Sequence, residues 1–236
     1  MAFSYGWRGP NIVKDGLVLY LDPGSPNSYF NKSSTTINDI SGNGYNSTLV
    51  NGPVYETSGS GSIRLDGTND TISIPSHPTA SGLTLSFWLN ITSSFGTIQT
   101  IIGDGNQSNT IGYIWIYRAS TNGLQYQFAT STVRSLLNDT NILSGSLNTW
   151  ANYVFTADYT SHPSGTLSIY KNSTISSTAT YPSINIPLSR TRYIGTYDGT
   201  SLALPGNVGH YLEYNRVLSA AEILQNYNAT KTRFGL

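Results

Sequence analysis

Apolar residues recur at every second position in a series of short runs. In 83–90, Leu83, Leu85, Phe87 and Leu89 fall on one side of an extended chain, with Thr84, Ser86, Trp88 and Asn90 on the other. That period predicts a strand with one face in a core. Residues 112–118 set Tyr113, Trp115 and Tyr117 against Ile114, Ile116 and Arg118, so both faces carry bulk. Further strands are expected at 16–22, 124–130, 150–159, 166–171, 193–196 and 210–214. Residues 62–66 and 71–74 flank Gly67, Thr68, Asn69 and Asp70 as the arms of a hairpin would. Residues 39–44 are dense in Asp, Ser, Gly and Asn and read as a tight loop. Strands with turn chemistry between them, and no alternating helices, predict a β-sandwich or jelly roll.

One helix is expected, at 220–227. Ser219 and Glu222 have the spacing of a capping box, and Leu218 with Ile223 fits a hydrophobic staple, so Ile223, Leu224 and Tyr227 should dock. Residues 1–11 form a separate arm, in which Phe3, Tyr5 and Trp7 alternate before Pro10. Residues 12–236 read as a single domain without an internal boundary.

Composition narrows the chemistry. Of 236 residues, 12 are basic and 12 acidic, which leaves no basic stripe for nucleic acid or anionic lipid. With no cysteine, disulfides, thiolate metal sites and thiol nucleophiles are excluded. The start lacks the run of about 7 to 15 apolar residues of an export signal, and no stretch suits membrane insertion. The expectation is therefore synthesis in a cytoplasm without export. Ser, Thr, Asn and Tyr take the polar positions that charge leaves, which suits a neutral contact surface.

Five segments taken in order carry a resemblance: GLVLYLD, DISGNGYNSTLVNGPVYE, SIRLDGTNDTISIP, LTLSFWLN and LEYNRVLSAAEI. Together they resemble the concanavalin A-like or laminin-G-like jelly-roll superfamily over about residues 13–230. The resemblance implies an all-β jelly-roll sandwich of two antiparallel sheets with one short C-terminal helix, and loops that bind glycans and sometimes calcium. The two ends, WRGPNIVKDGLVLYLDPGSPNSY and YNRVLSAAEILQNYNATKTRFGL, are similar to virion proteins of tailed bacteriophages. That likeness implies a non-enzymatic accessory protein of a capsid or tail, a homo-oligomer with phage structural proteins as partners. A host-surface glycan is a further expected partner. Phe3, Tyr5, Trp7 and Arg8 would then anchor the arm in a particle or a neighbouring subunit, the alternative being packing on the home sandwich.

Some relatives of this fold are glucanases, and retaining glycosidases need two carboxylates about 5 to 5.5 Å apart. The chain has three glutamates, Glu56, Glu213 and Glu222, and no two share a predicted strand. No nucleophile elbow occurs, and His77, His162 and His210 have no evident Ser and Asp companions. Calcium candidates are Asp104 with Asn106, and Asp66 with Asp70; Asx turns explain the same residues, and the position of the superfamily's acidic ligand is held by Gly209. No cofactor is therefore expected. Glycan binding would rest on Trp88, Tyr113, Trp115, Tyr117 and Tyr126, whose rings could stack on sugar C–H groups; the competing reading puts the same rings in the core.

Overall fold

The computed structural model describes residues 11–78, 82–93, 96–105, 113–129, 134–161, 163–182 and 190–236. Sixteen strands follow one another: β1 Leu17–Leu21, β2 Thr36–Ile37, β3 Ser47–Val50, β4 Val54–Glu56, β5 Ser62–Asp66, β6 Thr71–Ile74, β7 Gly82–Ile91 and β8 Gln99–Gly103, then β9 Tyr113–Arg118, β10 Leu124–Ala129, β11 Arg134–Asp139, β12 Trp150–Asp158, β13 Gly165–Lys171, β14 Thr174–Tyr181, β15 Arg192–Ile194 and β16 Pro205–Tyr214. They form two antiparallel eight-stranded sheets. The first runs β14-β13-β12-β7-β16-β5-β4 with β1 also on β16, and the second runs β11-β10-β9-β8-β15-β6-β3-β2. This is the expected jelly-roll sandwich.

The two inner faces supply one core. Leu83, Leu85, Phe87 and Leu89 of β7 meet Ile114 and Ile116 of β9 and Leu124, Tyr126 and Phe128 of β10, all essentially without solvent contact. The period seen in the sequence therefore sets the inner faces.

The hairpin expected from 62–74 does not form. β5 pairs with β4 and β16 in the first sheet, whereas β6 pairs with β3 and β15 in the second. Gly67, at φ +80°, helps turn the chain across the edge of the sandwich instead of back on its own strand. Strands β2, β3, β4, β8, β11 and β14 were not foreseen; several are short or polar, and such segments carry little hydrophobic period.

The helix α1, Ala220–Thr230, starts at the expected capping box: Ser219 Oγ accepts from the Glu222 N–H at 3.3 Å and the Ser219 N–H donates to Glu222 Oε2 at 2.8 Å. Arg216 completes the corner on the Glu222 carboxylate at 2.6 Å. Docking differs in one residue. Leu224 is 47% exposed, and Asn226 is buried in its stead, accepting from the Val13 N–H and donating to the Tyr214 hydroxyl. The helix thus presents Ile223, Asn226, Tyr227 and Thr230, one face at helical spacing, to the outside of the first sheet.

That packing explains why both faces of β7 are buried. Trp88 points away from the core into a layer closed by the chain end, where its ring stacks on Phe234 at 4.2 Å and on Tyr227 at 5.8 Å. Its indole N–H donates to Thr230 Oγ1 at 3.0 Å. A Cβ at Gly59 or Gly209 would come within 2.8 or 2.5 Å of the Phe234 ring, so these two glycines make room for it. Beside it, Arg233 pairs with Asp22 at 2.6 Å and donates to the carbonyls of Gly59 and Gly61. We predict that Phe234→Ala lowers the unfolding free energy by about 3–5 kcal/mol, measured by urea denaturation. A change below about 1 kcal/mol, within the range of ordinary surface substitutions, would show that the tail is not part of the folded layer.

Candidate functional site

Only one charged cluster lies inside the sandwich among the described residues. Glu213 on β16 and Arg192 on β15 meet from opposite sheets at 2.7 Å, both almost fully buried. The Tyr211 hydroxyl donates to Glu213 Oε2 at 2.7 Å. His77, foreseen as a loop residue, is in a loop but buried: Nε2 lies 2.8 Å from Glu213 Oε1, and Nδ1 lies 3.0 Å from the Pro75 carbonyl, so Nδ1 carries a proton. Burial by itself would push the Glu213 carboxyl up. Arg192, His77 and Tyr211 together outweigh it and hold the group at about 2.

This cluster holds no second carboxylate, and the other glutamates are engaged elsewhere. Glu56 binds Arg64 at 2.7 Å and Asn207 at 2.9 Å, while Glu222 belongs to the helix cap. His210 is enclosed by Tyr20, Trp88 and Phe234, and burial lowers its imidazole to about 3, so it is neutral packing. His162 lies outside the described residues.

The aromatic candidates separate. Tyr126 is fully buried in the core and Trp88 fully buried under the tail, so neither is a sugar platform. Trp115 and Tyr117 do lie on the outer face of the second sheet, but they pack on each other at 3.9 Å, and Tyr197 stands against Trp115 at 4.7 Å. The indole N–H of Trp115 is bound to Thr100, and Tyr117 is buried with its hydroxyl on Gln125. One face of the half-buried Trp115 ring is thus stacked on Tyr117, with Tyr197 tilted against it. Tyr113 belongs to β9, but its side chain lies outside the described residues, as do Phe3, Tyr5, Trp7, Arg8 and Asn106.

The carboxylates of the calcium candidates accept backbone hydrogen bonds. Asp66 accepts from the Thr68 N–H, Asp70 from the Asp66 N–H, and Asp104 from the Ile114 N–H at 3.3 Å. Among the described residues no group of three metal-ligating side chains comes together, and no helix is long and apolar enough to cross a membrane.

A different place has the makings of a binding site. Where the edge strand β4 and the β2–β3 edge diverge, a cavity of about 250 Å³ opens. Leu49 and Tyr29 form its floor, Pro53, Val54 and Tyr55 one wall, and Lys32, Ser33, Ser34 and Thr35 the rim. The rings of Tyr29 and Tyr55 stand 6.0 Å apart, and the Lys32 ammonium lies 4.9 and 4.4 Å from their centres. Lys32 donates to the carbonyls of Pro23, at 2.8 Å, and Tyr29, which leaves one of its three N–H groups free for a ligand. Burial lowers the Lys32 amine and the nearby Asp22 charge opposes that shift. Phe30, which follows Tyr29 in sequence, is 83% exposed. Sequence reasoning missed this site because its walls come from segments about twenty residues apart with no shared period; the one signal was the run Tyr29, Phe30, Asn31, Lys32 set in hydroxyl residues.

Residues 66–224 match the family described as the concanavalin A-like lectin/glucanases superfamily. The chain belongs to that superfamily. Solved structures agree on the fold. The binding domain of Paraclostridial Mosquitocidal Protein 1 is 18% identical with a TM-score of 0.71, over 92% of this chain and 52% of that one. The botulinum neurotoxin type G receptor binding domain is 14% identical with a TM-score of 0.66, over 90% and 51%. The serotype D ligand binding domain, in complex with N-acetylneuraminic acid, is 15% identical with a TM-score of 0.69, over 91% and 51%. The chain therefore spans about half the length of these neighbours, and the likeness establishes a lectin-like jelly roll. No curated protein matches its sequence.

The buried cluster has a pH signature. A carboxyl held at about 2 when folded, against its ordinary 4.5, stabilises the fold above pH 4.5 and loses that contribution as pH falls toward 2. Urea unfolding followed from neutral pH downward should show the wild type losing on the order of a few kcal/mol over that window, with the acid limb flattened in Glu213→Gln. Parallel curves for the two proteins would contradict the assignment.

Proposed function

We propose that the chain is a non-catalytic, lectin-like recognition module whose edge pocket takes one unit of an acidic saccharide. The observation that carries this reading is the pairing of a tyrosine-walled cavity with a lysine that has a donor to spare. An aromatic wall suits the C–H face of a sugar ring, and the hydroxyls of Ser33, Ser34 and Thr35 suit its OH groups. Among the described residues Lys32 has no carboxylate partner within ion-pair distance, and it supplies the charge an acidic sugar needs. The presence of N-acetylneuraminic acid in one distant structural neighbour is compatible with that class of ligand.

The absence of catalysis in this reading is supported by the placement of the three glutamates, each bound to an arginine and remote in role from the pocket. The setting in this proposal is the particle of a tailed phage, assembled in the host cytoplasm, with the module as a capsid decoration or tail-associated protein. That part rests on the resemblance of the two ends of the chain to virion proteins. Mass spectrometry of purified particles tests it directly, since a module absent from them has another role.

Binding is testable on a glycan array with and without calcium. We expect acidic glycans to bind in both conditions and neutral ones to bind less. Tyr55→Ala should weaken binding to every ligand about tenfold, equivalent to about 1.4 kcal/mol, and Lys32→Met should erase the preference for acid. Silence toward all acidic glycans, or binding unchanged in both variants, would overturn the pocket as the site.

A further inference from the structure

The lysine of the edge pocket lies beside a buried carboxylate and yet does not pair with it. Lys32 donates to the carbonyl of Pro23 at 2.8 Å, one residue beyond Asp22, and to that of Tyr29. Asp22 is buried just past the end of β1, and its charge already acts on the Lys32 amine. An ammonium on a long flexible stem would ordinarily close on such a neighbour. The ion pair that Asp22 makes is with Arg233 instead.

Arg233 comes from far along the chain, in the turn Lys231–Phe234 that follows α1. Its Nη1 donates to Asp22 Oδ1 at 2.6 Å, where the Gly24 N–H also donates at 3.0 Å, and Asp22 Oδ2 lies 3.4 Å from the Tyr20 hydroxyl. The guanidinium is held apart from Asp22 as well: Nε donates to the Gly59 carbonyl and Nη2 to the Gly61 carbonyl, both at 2.9 Å. A rigid fork of five donors can serve two carbonyls and a carboxylate at once. A Cβ at Gly24 would run into the guanidinium and the Ser60 carbonyl, so the turn after Asp22 makes room for this arrangement.

On the reading that the edge pocket takes an acidic saccharide, we propose that Arg233 sets its preference for acid without touching the ligand: by occupying Asp22, it leaves the Lys32 charge free for the ligand's carboxylate. Without the guanidinium, Asp22 is a buried carboxylate lacking its cation, which is strongly unfavourable. Lys32 is the cation at hand. Drawn onto Asp22, it would leave the rings of Tyr29 and Tyr55, where it now stands 4.9 and 4.4 Å from the centres, and its charge would be cancelled. The tyrosine wall and the hydroxyls of the rim would remain for a neutral sugar. The two ends of the pair are therefore not equivalent. Losing Asp22 leaves Lys32 nothing to close on, while Arg233 keeps its two carbonyls.

Calorimetric titration of the full chain with N-acetylneuraminic acid and with its carboxyl methyl ester reads the preference, since the two differ at the carboxylate alone. Arg233→Gln should bring the ratio of acid to ester affinity to about one, as Lys32→Met does, whereas Asp22→Asn should keep the wild-type ratio. The double variant Asp22→Asn with Arg233→Gln should recover that ratio. A merely structural role for the pair would act otherwise: the two single variants would weaken both ligands alike, and the double variant would recover nothing. Circular dichroism checks that each variant is folded. If Arg233→Gln is not, Asp22→Asn and the double variant decide, and loss of the ratio in either overturns the proposal. So does a wild-type ratio in folded Arg233→Gln while Lys32→Met still erases it. A wild type without preference, or one that Lys32→Met leaves unchanged, overturns the reading of the pocket and this inference with it.

Discussion

Among the described residues, the contact between Arg192 and Glu213 is the one place where the two sheets are joined by an ion pair through the interior. Apart from His77 and the Tyr211 hydroxyl, the buried pair is set in an apolar and aromatic core, and a charge stranded there by loss of its partner costs several kcal/mol. The pair fixes the entry of β15 relative to the exit of β16, and it draws in the loop bearing His77. Hydrophobic burial alone would accept small slips between the sheets. A buried pair with directional hydrogen bonds does not, and it gives the sandwich a fixed register between its layers.

The same contact constrains chemistry. The three glutamates of the chain are committed one by one: Glu213 inside the sandwich, Glu222 at the helix cap and Glu56 beside Arg64. Aromatic residues are similarly committed: Trp88 holds the C-terminal tail, Tyr126 fills the core, and Trp115 with Tyr117 closes part of the outer face. The site proposed for recognition lies instead at an edge, where Tyr29, Tyr55 and Lys32 line a small cavity.

The fold was legible in the sequence wherever burial imposed a period. β5 and β6 lie at their expected residues, β7 and β10 within a residue or two, and the capping box marks the start of α1. Partners were less legible than elements. Nothing local in 62–74 tells a hairpin from a crossing between sheets, because that choice is made by β3, β4, β15 and β16. The face of an aromatic residue could be read, but not what covers it: Trp88 was correctly placed opposite Leu89, and only the docking of Phe234, far along the chain, removes it from solvent. The site was the least legible of all, since a cavity between two sheet edges has no period and leaves only a cluster of suitable residue types.

The central claim is that recognition belongs to the edge between β4 and the β2–β3 strands and not to the aromatic row of β9. A crystal structure of the protein soaked with N-acetylneuraminic acid tests it most directly. The account predicts the sugar in the cavity, its ring against Tyr55 and its carboxylate within hydrogen-bond distance of the Lys32 ammonium. Sugar bound on the outer face over Trp115 and Tyr117, with the cavity empty, would contradict it.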